Sequence, residues 1–134
     1  TKSGFEATLD RSTSFSNVRA IAAETICFAA FEQGAFQLKG DDQQETANCE
    51  VNTLEAKGWE DSCQFSSPLT NLKNLPLSVG GKQDRNGRNG GWVRKRCNST
   101  AAGVNFVIDE DSKRRSHKNE TVGYLACDQA VKIK

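Results

Sequence analysis

Residues 103–128, GVNFVIDEDSKRRSHKNETVGYLACD, limit what this chain can fold into more than any other stretch. Val104, Phe106 and Ile108 alternate with Asn105, Val107 and Asp109, the two-residue period of a half-buried strand. Val122, Tyr124 and Ala126 repeat that period against Thr121, Gly123 and Leu125. Between the two runs, residues 111–119 carry four basic residues, one acid and the chain's single histidine. A helix would need apolar residues three and four apart, so the pattern predicts two strands joined as a hairpin by a charged loop.

The remaining chain continues in the same style. Phe5, Ala7 and Leu9 alternate as an opening strand. Residues 21–31 are alanine-rich enough for a short helix, but Thr25, Ile26, Phe28 and Phe31 favour a buried strand. Gly34 then offers a turn, with residues 35–38 returning as the second arm of that hairpin. Residues 39–48 are polar and acidic and predict a long surface loop. Residues 51–59 fit a further strand or one helical turn, and residues 71–74 a turn. Residues 75–79 fit a strand with Pro76 near its start, where a missing donor is tolerated. Residues 80–91, GGKQDRNGRNGG, hold five glycines and two Asn-Gly pairs and predict a long hairpin loop leading into a strand at 92–97. Strands at this spacing, with turn residues between them, predict an all-β fold, an antiparallel β-sandwich with disulfides.

Size and charge narrow the function. A chain of 134 residues predicts one domain spanning 1–134. Lys and Arg number 18 against 17 Asp and Glu, a balance that argues against nucleic acid as a partner. No apolar run approaches the roughly 20 residues of a membrane-spanning helix, so no membrane insertion is expected. The sequence shows no signal peptide and no Met, which predicts a fragment of a larger precursor.

Cys27, Cys49, Cys63, Cys97 and Cys127 contain no Cys-x-x-Cys pair, which removes the simplest zinc and thioredoxin-like readings. Disulfides in an oxidising compartment are expected instead. Two glycosylation sequons, at Asn98 and Asn119, point the same way. The connectivity stays open. The most local candidate is Cys49 with Cys63, a loop worth about 3 kcal/mol in the chain-entropy model. Cys97 with Cys127 is the second.

Catalysis finds no support in motifs. The one histidine limits any nucleophilic triad to His117, and no nucleophile elbow, His-Glu-x-x-His or phosphate loop occurs. Asp109, Glu110 and Asp111 are hard ligands, but they lack the alternating spacing and central glycine of a calcium loop. Lys113, Arg114 and Arg115 are close enough in sequence to neutralise them. Neither an enzyme activity nor a metal or cofactor is expected.

The runs Trp92-Val93-Arg94-Lys95-Arg96, Gly103-Val104-Asn105-Phe106, Asp109-Glu110-Asp111 and 117–126 (HKNETVGYLA) resemble the closing strands of a lectin-like β-sandwich. The resemblance covers roughly the last third of the chain. It is to H-type-lectin-like and galectin-like domains of secreted adhesins, above all the galectin-like domain of apicomplexan microneme adhesion proteins. It implies a galectin-like jelly roll that reaches the cell exterior through a secretory organelle. It also implies a role in cell adhesion, with epidermal-growth-factor-like or thrombospondin-type modules of another secreted or membrane-anchored adhesin as partners. The galectin sugar-binding pattern, His-x-Asn-Pro-Arg followed by Trp-x-x-Glu-x-Arg, is absent: residues 117–120 lack the Pro and Arg, and residues 92–96 lack the Glu.

Two groups of residues remain as a candidate binding site. Trp92, Arg94 and Arg96 alternate on one strand face, forming an aromatic and basic patch suited to an acidic protein or sugar; a solvated face is the alternative. His117 and Glu120, three apart, either grip a sugar hydroxyl or a partner side chain, or close the loop structurally. In the structural reading, which is preferred, Glu120 bonds loop backbone or pairs with Arg114 or Arg115. Tyr124 is expected in the core. The chain is thus expected to be a non-catalytic docking domain, with glycan binding as the alternative.

Overall fold

The computed structural model describes residues 25, 29–41, 45–59, 66–70, 72, 74, 76–87, 91–95, 103–109 and 117–132. Eight strands make up its regular structure: β1 (Gly34–Lys39), β2 (Thr46–Ala56), β3 (Ser66–Pro68), β4 (Leu77–Lys82), β5 (Trp92–Arg94), β6 (Gly103–Asn105), β7 (Val107–Asp109) and β8 (Glu120–Cys127). Every strand pairing is antiparallel, and no α-helix occurs among the described residues. The chain is therefore all-β, as its alternation predicts. Among the described residues no helix is long and apolar enough to cross a membrane.

One sheet of four strands, in the order β1-β2-β8-β4, dominates; β3 pairs with β6 and β5 with β7. The alternation of β8 sends Val122, Tyr124 and Ala126 to one face of the large sheet, where Leu54 and Ala56 of β2 join them. Val104, Phe106, Ile108 and Leu69 complete this core, with the Phe106 and Tyr124 rings 6.2 Å apart. Gly80 in β4 lies against the Phe106 ring: a Cβ there would sit 3.0 Å from two ring carbons, so the ring would have to shift by a few tenths of an ångström to admit one.

The other face of the sheet carries a second apolar cluster. Ala47, Cys49 and Cys127 are buried there, with Phe36, Leu38, Leu125 and Val131 packed on them. Cys49 and Cys127 form a disulfide across β2 and β8, their Cα atoms 4.1 Å apart. This corrects both expected pairings, Cys49 with Cys63 and Cys97 with Cys127. The physical reason is register. The Asp128 amide donates to Asn48 O, so 48/128 is a hydrogen-bonded pair and 49/127 a non-hydrogen-bonded one. In such pairs the side chains stand closest. Cys27, Cys63 and Cys97 lie outside the described residues.

Several other expectations are corrected. The predicted hairpin of residues 103–128 does not form, because its two arms join different sheets. The first arm is also broken at Phe106, with β6 pairing to β3 and β7 to β5. Residues 103–108 are all buried, so this segment is wholly interior rather than half-buried. Residues 80–91 are not a hairpin loop either: β4 runs on to Lys82, and β4 and β5 lie in different sheets. The predicted loop at 39–48 shrinks because β1 ends at Lys39 and β2 begins at Thr46. Gly34, at φ 140°, opens β1 rather than turning a hairpin, and β1 pairs forward with β2. The strand expected at 5–9 lies outside the described residues.

Candidate functional site: a buried carboxylate beneath the glycine-rich loop

The period that buries Val122, Tyr124 and Ala126 also drives Glu120, the first residue of β8, into the interior, where it is fully buried. A carboxylate removed from water needs compensating partners. Glu120 Oε2 accepts the Asn86 amide at 2.8 Å and Oε1 the Gly87 amide at 3.0 Å. Lys82 Nζ lies 3.7 Å from Oε1, at the end of β4 and on the same face of the sheet. His117 Nδ1 is also 3.7 Å from Oε1. The same Nδ1 is 2.7 Å from Lys118 O, and a carbonyl can only accept, so Nδ1 carries a proton.

Glycine makes the approach possible. A Cβ on Gly87 would fall 2.5 Å from His117 Cε1, and one on Gly91 would fall 3.6 Å from His117 Cδ2. Gly87 thus lies directly on the imidazole, whereas the close neighbour of Gly91 is Ile108, whose Cγ2 would be 2.5 Å from a Cβ there.

A second carboxylate latches the loop from its amino end. After β4 the ladder continues for one bond, Gln83 N to Thr121 O at 2.8 Å. Asp84 then takes over with its side chain, accepting the Thr121 amide at 2.8 Å and the Thr121 hydroxyl at 2.6 Å. Asn86 ties the two carboxylates together. Its side-chain amide donates to Asp84 Oδ2 and to Asn119 O, both at 3.1 Å, while its backbone amide serves Glu120. Burial raises the Asp84 carboxyl, but the hydrogen bonds around it, from Thr121 first and Asn86 after it, together outweigh burial and hold the group below its ordinary value.

The candidate residues therefore fall into two places. His117 and Glu120 come together as the sequence suggests, but inside the protein. The backbone that Glu120 binds belongs to the glycine-rich loop rather than to its own loop; Arg114 and Arg115 lie outside the described residues. Trp92 and Arg94 stand on the exposed side of β5, Trp92 53% exposed, while Val93 between them packs inward. Arg94 Nε lies 3.7 Å from Asp109 Oδ2 on β7, an exposed pair of small energetic weight. Arg96 and Asn98 lie outside the described residues. Asn119 is exposed at the end of the charged loop.

Lys82, Asp84, Asn86 and Thr121 were not singled out from sequence. The Asp-Arg-Asn-Gly run registers only as a turn signal, and its polar side chains acquire partners only when β8 lies alongside. Among the described residues no three His, Cys, Asp or Glu gather as metal ligands. No family model, curated protein or solved structure matches the chain.

Proposed function

We propose that this chain is a non-catalytic protein-interaction domain of a secreted adhesin, which docks on a partner adhesin to assemble or stabilise a cell-adhesion complex. The observation that carries this reading is the exposed pair on β5: Trp92 and Arg94 present an aromatic face and a guanidinium side by side. Aromatic residues and arginine are the types most enriched at protein interfaces. The Cys49–Cys127 disulfide supports an oxidising, extracellular setting. Burial of His117 and Glu120 favours protein docking over sugar binding, because the polar pair a sugar would need is already engaged by the loop. The galectin-like sandwich and the epidermal-growth-factor-like or thrombospondin-type partners belong to this proposal and rest on the sequence resemblance.

A glycan-binding domain is the second reading, favoured by the exposed Trp92 ring, since an indole face stacks on the apolar face of a sugar. One experiment separates the two. The folded domain is titrated against purified epidermal-growth-factor-like and thrombospondin-type modules and screened on a glycan array, with Trp92→Ala and Arg94→Ala alongside. Binding to a module that weakens in both variants, with a blank array, supports the docking domain. Reproducible binding to one sugar class that is lost in Trp92→Ala overturns it in favour of the lectin.

A further inference from the structure

We propose that Asn119 is an N-glycan attachment site, filled while the chain is still unfolded and closed to the transferase once β8 enters its sheet. The proposal rests on the extracellular reading above for its route.

The sequon Asn119-Glu120-Thr121 presents its three residues very differently. Asn119 is exposed at the end of the charged loop. The loop latch engages it through its carbonyl, which accepts the Asn86 side-chain amide at 3.1 Å. A glycan on Asn119 Nδ2 would leave that bond standing, and a bulky hydrophilic group belongs at such a surface position. Attachment joins Nδ2 to the anomeric carbon of a lipid-diphosphate-linked oligosaccharide. The bond from that carbon to the diphosphate oxygen breaks, the lipid diphosphate leaves, and Nδ2 gives one proton to a base of the transferase. The transferase also binds the hydroxyl two residues on, which the acceptor pattern Asn-x-Ser/Thr supplies.

In the folded chain that hydroxyl is engaged. Thr121 Oγ1 lies 2.6 Å from Asp84 Oδ2 and 3.0 Å from Glu55 Oε1 on β2. The Thr121 amide donates to Asp84 Oδ1 at 2.8 Å, and its carbonyl accepts Gln83 N at 2.8 Å. Glu120, between the two recognised residues, is fully buried. Binding the folded sequon would mean breaking these bonds and pulling a carboxylate away from its buried partners, which is costly. Chain order supplies the alternative. β8 is the last of the described strands, yet it lies inside its sheet, between β2 and β4. That sheet cannot close until the sequon has been synthesised, and before closure the Asn119 amide and the Thr121 hydroxyl are both accessible.

The test uses the full chain made in a eukaryotic secretory host behind an added signal peptide, with mass analysis of its peptides. The expected result is a glycan on most copies of the peptide carrying Asn119, released by peptide-N-glycosidase and lost in Asn119→Gln. A bare Asn119 overturns the site; because the host supplies the route, it does not count against the extracellular reading. For the order of events, the folded, unglycosylated chain and a peptide of residues 115–125 are each given to purified oligosaccharyltransferase with its lipid-linked donor. Modification of the peptide but not of the folded chain is expected. Equal modification of both overturns the ordering, and an unmodified peptide overturns the site. Should Asn119→Gln fail to fold, the peptide masses of the unaltered chain decide.

Discussion

The two ends of β8 are secured by opposite chemistry. At Cys127 a covalent bond to β2 is set among apolar side chains, and the following Asp128 carboxylate accepts the backbone and side-chain amides of Asn48 at 2.9 and 2.8 Å. At Glu120 no covalent bond exists; a buried carboxylate instead collects two loop amides, an ammonium and an imidazole. The difference shows that one strand can be fixed either by restricting the unfolded chain or by satisfying a polar group that would otherwise be orphaned. The first kind of anchor responds to reductant and the second to removal of the buried charge.

The comparison is open to direct attack. Removing the disulfide with paired Cys49→Ala and Cys127→Ala substitutions frees a cross-link between residues 78 apart in sequence. The expected loss is about 4 kcal/mol in urea unfolding, by chain entropy. A loss below about 1 kcal/mol would mean that hydrogen bonding and packing already hold the carboxyl end of β8.

Glu120→Ala attacks the other end. It leaves Lys82, His117 and two loop amides facing a void, and about 3 kcal/mol should be lost. Hydrogen exchange should speed up at Asn86 and Gly87 but not at Asn48. Equal acceleration at both ends would show the strand to be one cooperative unit and erase the distinction.

The smallest effect concerns Asp84. Its carboxyl is held below the ordinary value of 3.8, so its hydrogen bonds contribute stability that is fully present above that value. That stability is lost as pH falls through the lower folded value. Asp84→Asn should therefore cost under about 1 kcal/mol at neutral pH and flatten the acid limb of a stability–pH curve. An unchanged acid limb would remove Asp84 from the latch.

Legibility from sequence followed the range of the interactions. The period-two pattern of residues 121–126 was readable because burial alternates faithfully in a strand whose inward side chains pack into a core, and that pattern placed Tyr124 correctly in the core. In residues 103–108 the same reasoning under-called burial, since polar Asn105 sits inside along with its apolar neighbours. His117 and Glu120 could be paired from their spacing. Their burial could not, because it depends on a loop more than thirty residues earlier folding over them.

By itself the sequence determined the all-β class, the alternating strand at 121–126 and the position of the glycine that lets the loop approach His117. These depend on side-chain period and backbone freedom, which act within a few residues. Tertiary structure alone decided which strands pair, that Cys49 meets Cys127, and that the glycine-rich loop crosses between sheets to cap Glu120. Those outcomes follow from register, and register is set when a whole sheet buries its apolar faces together.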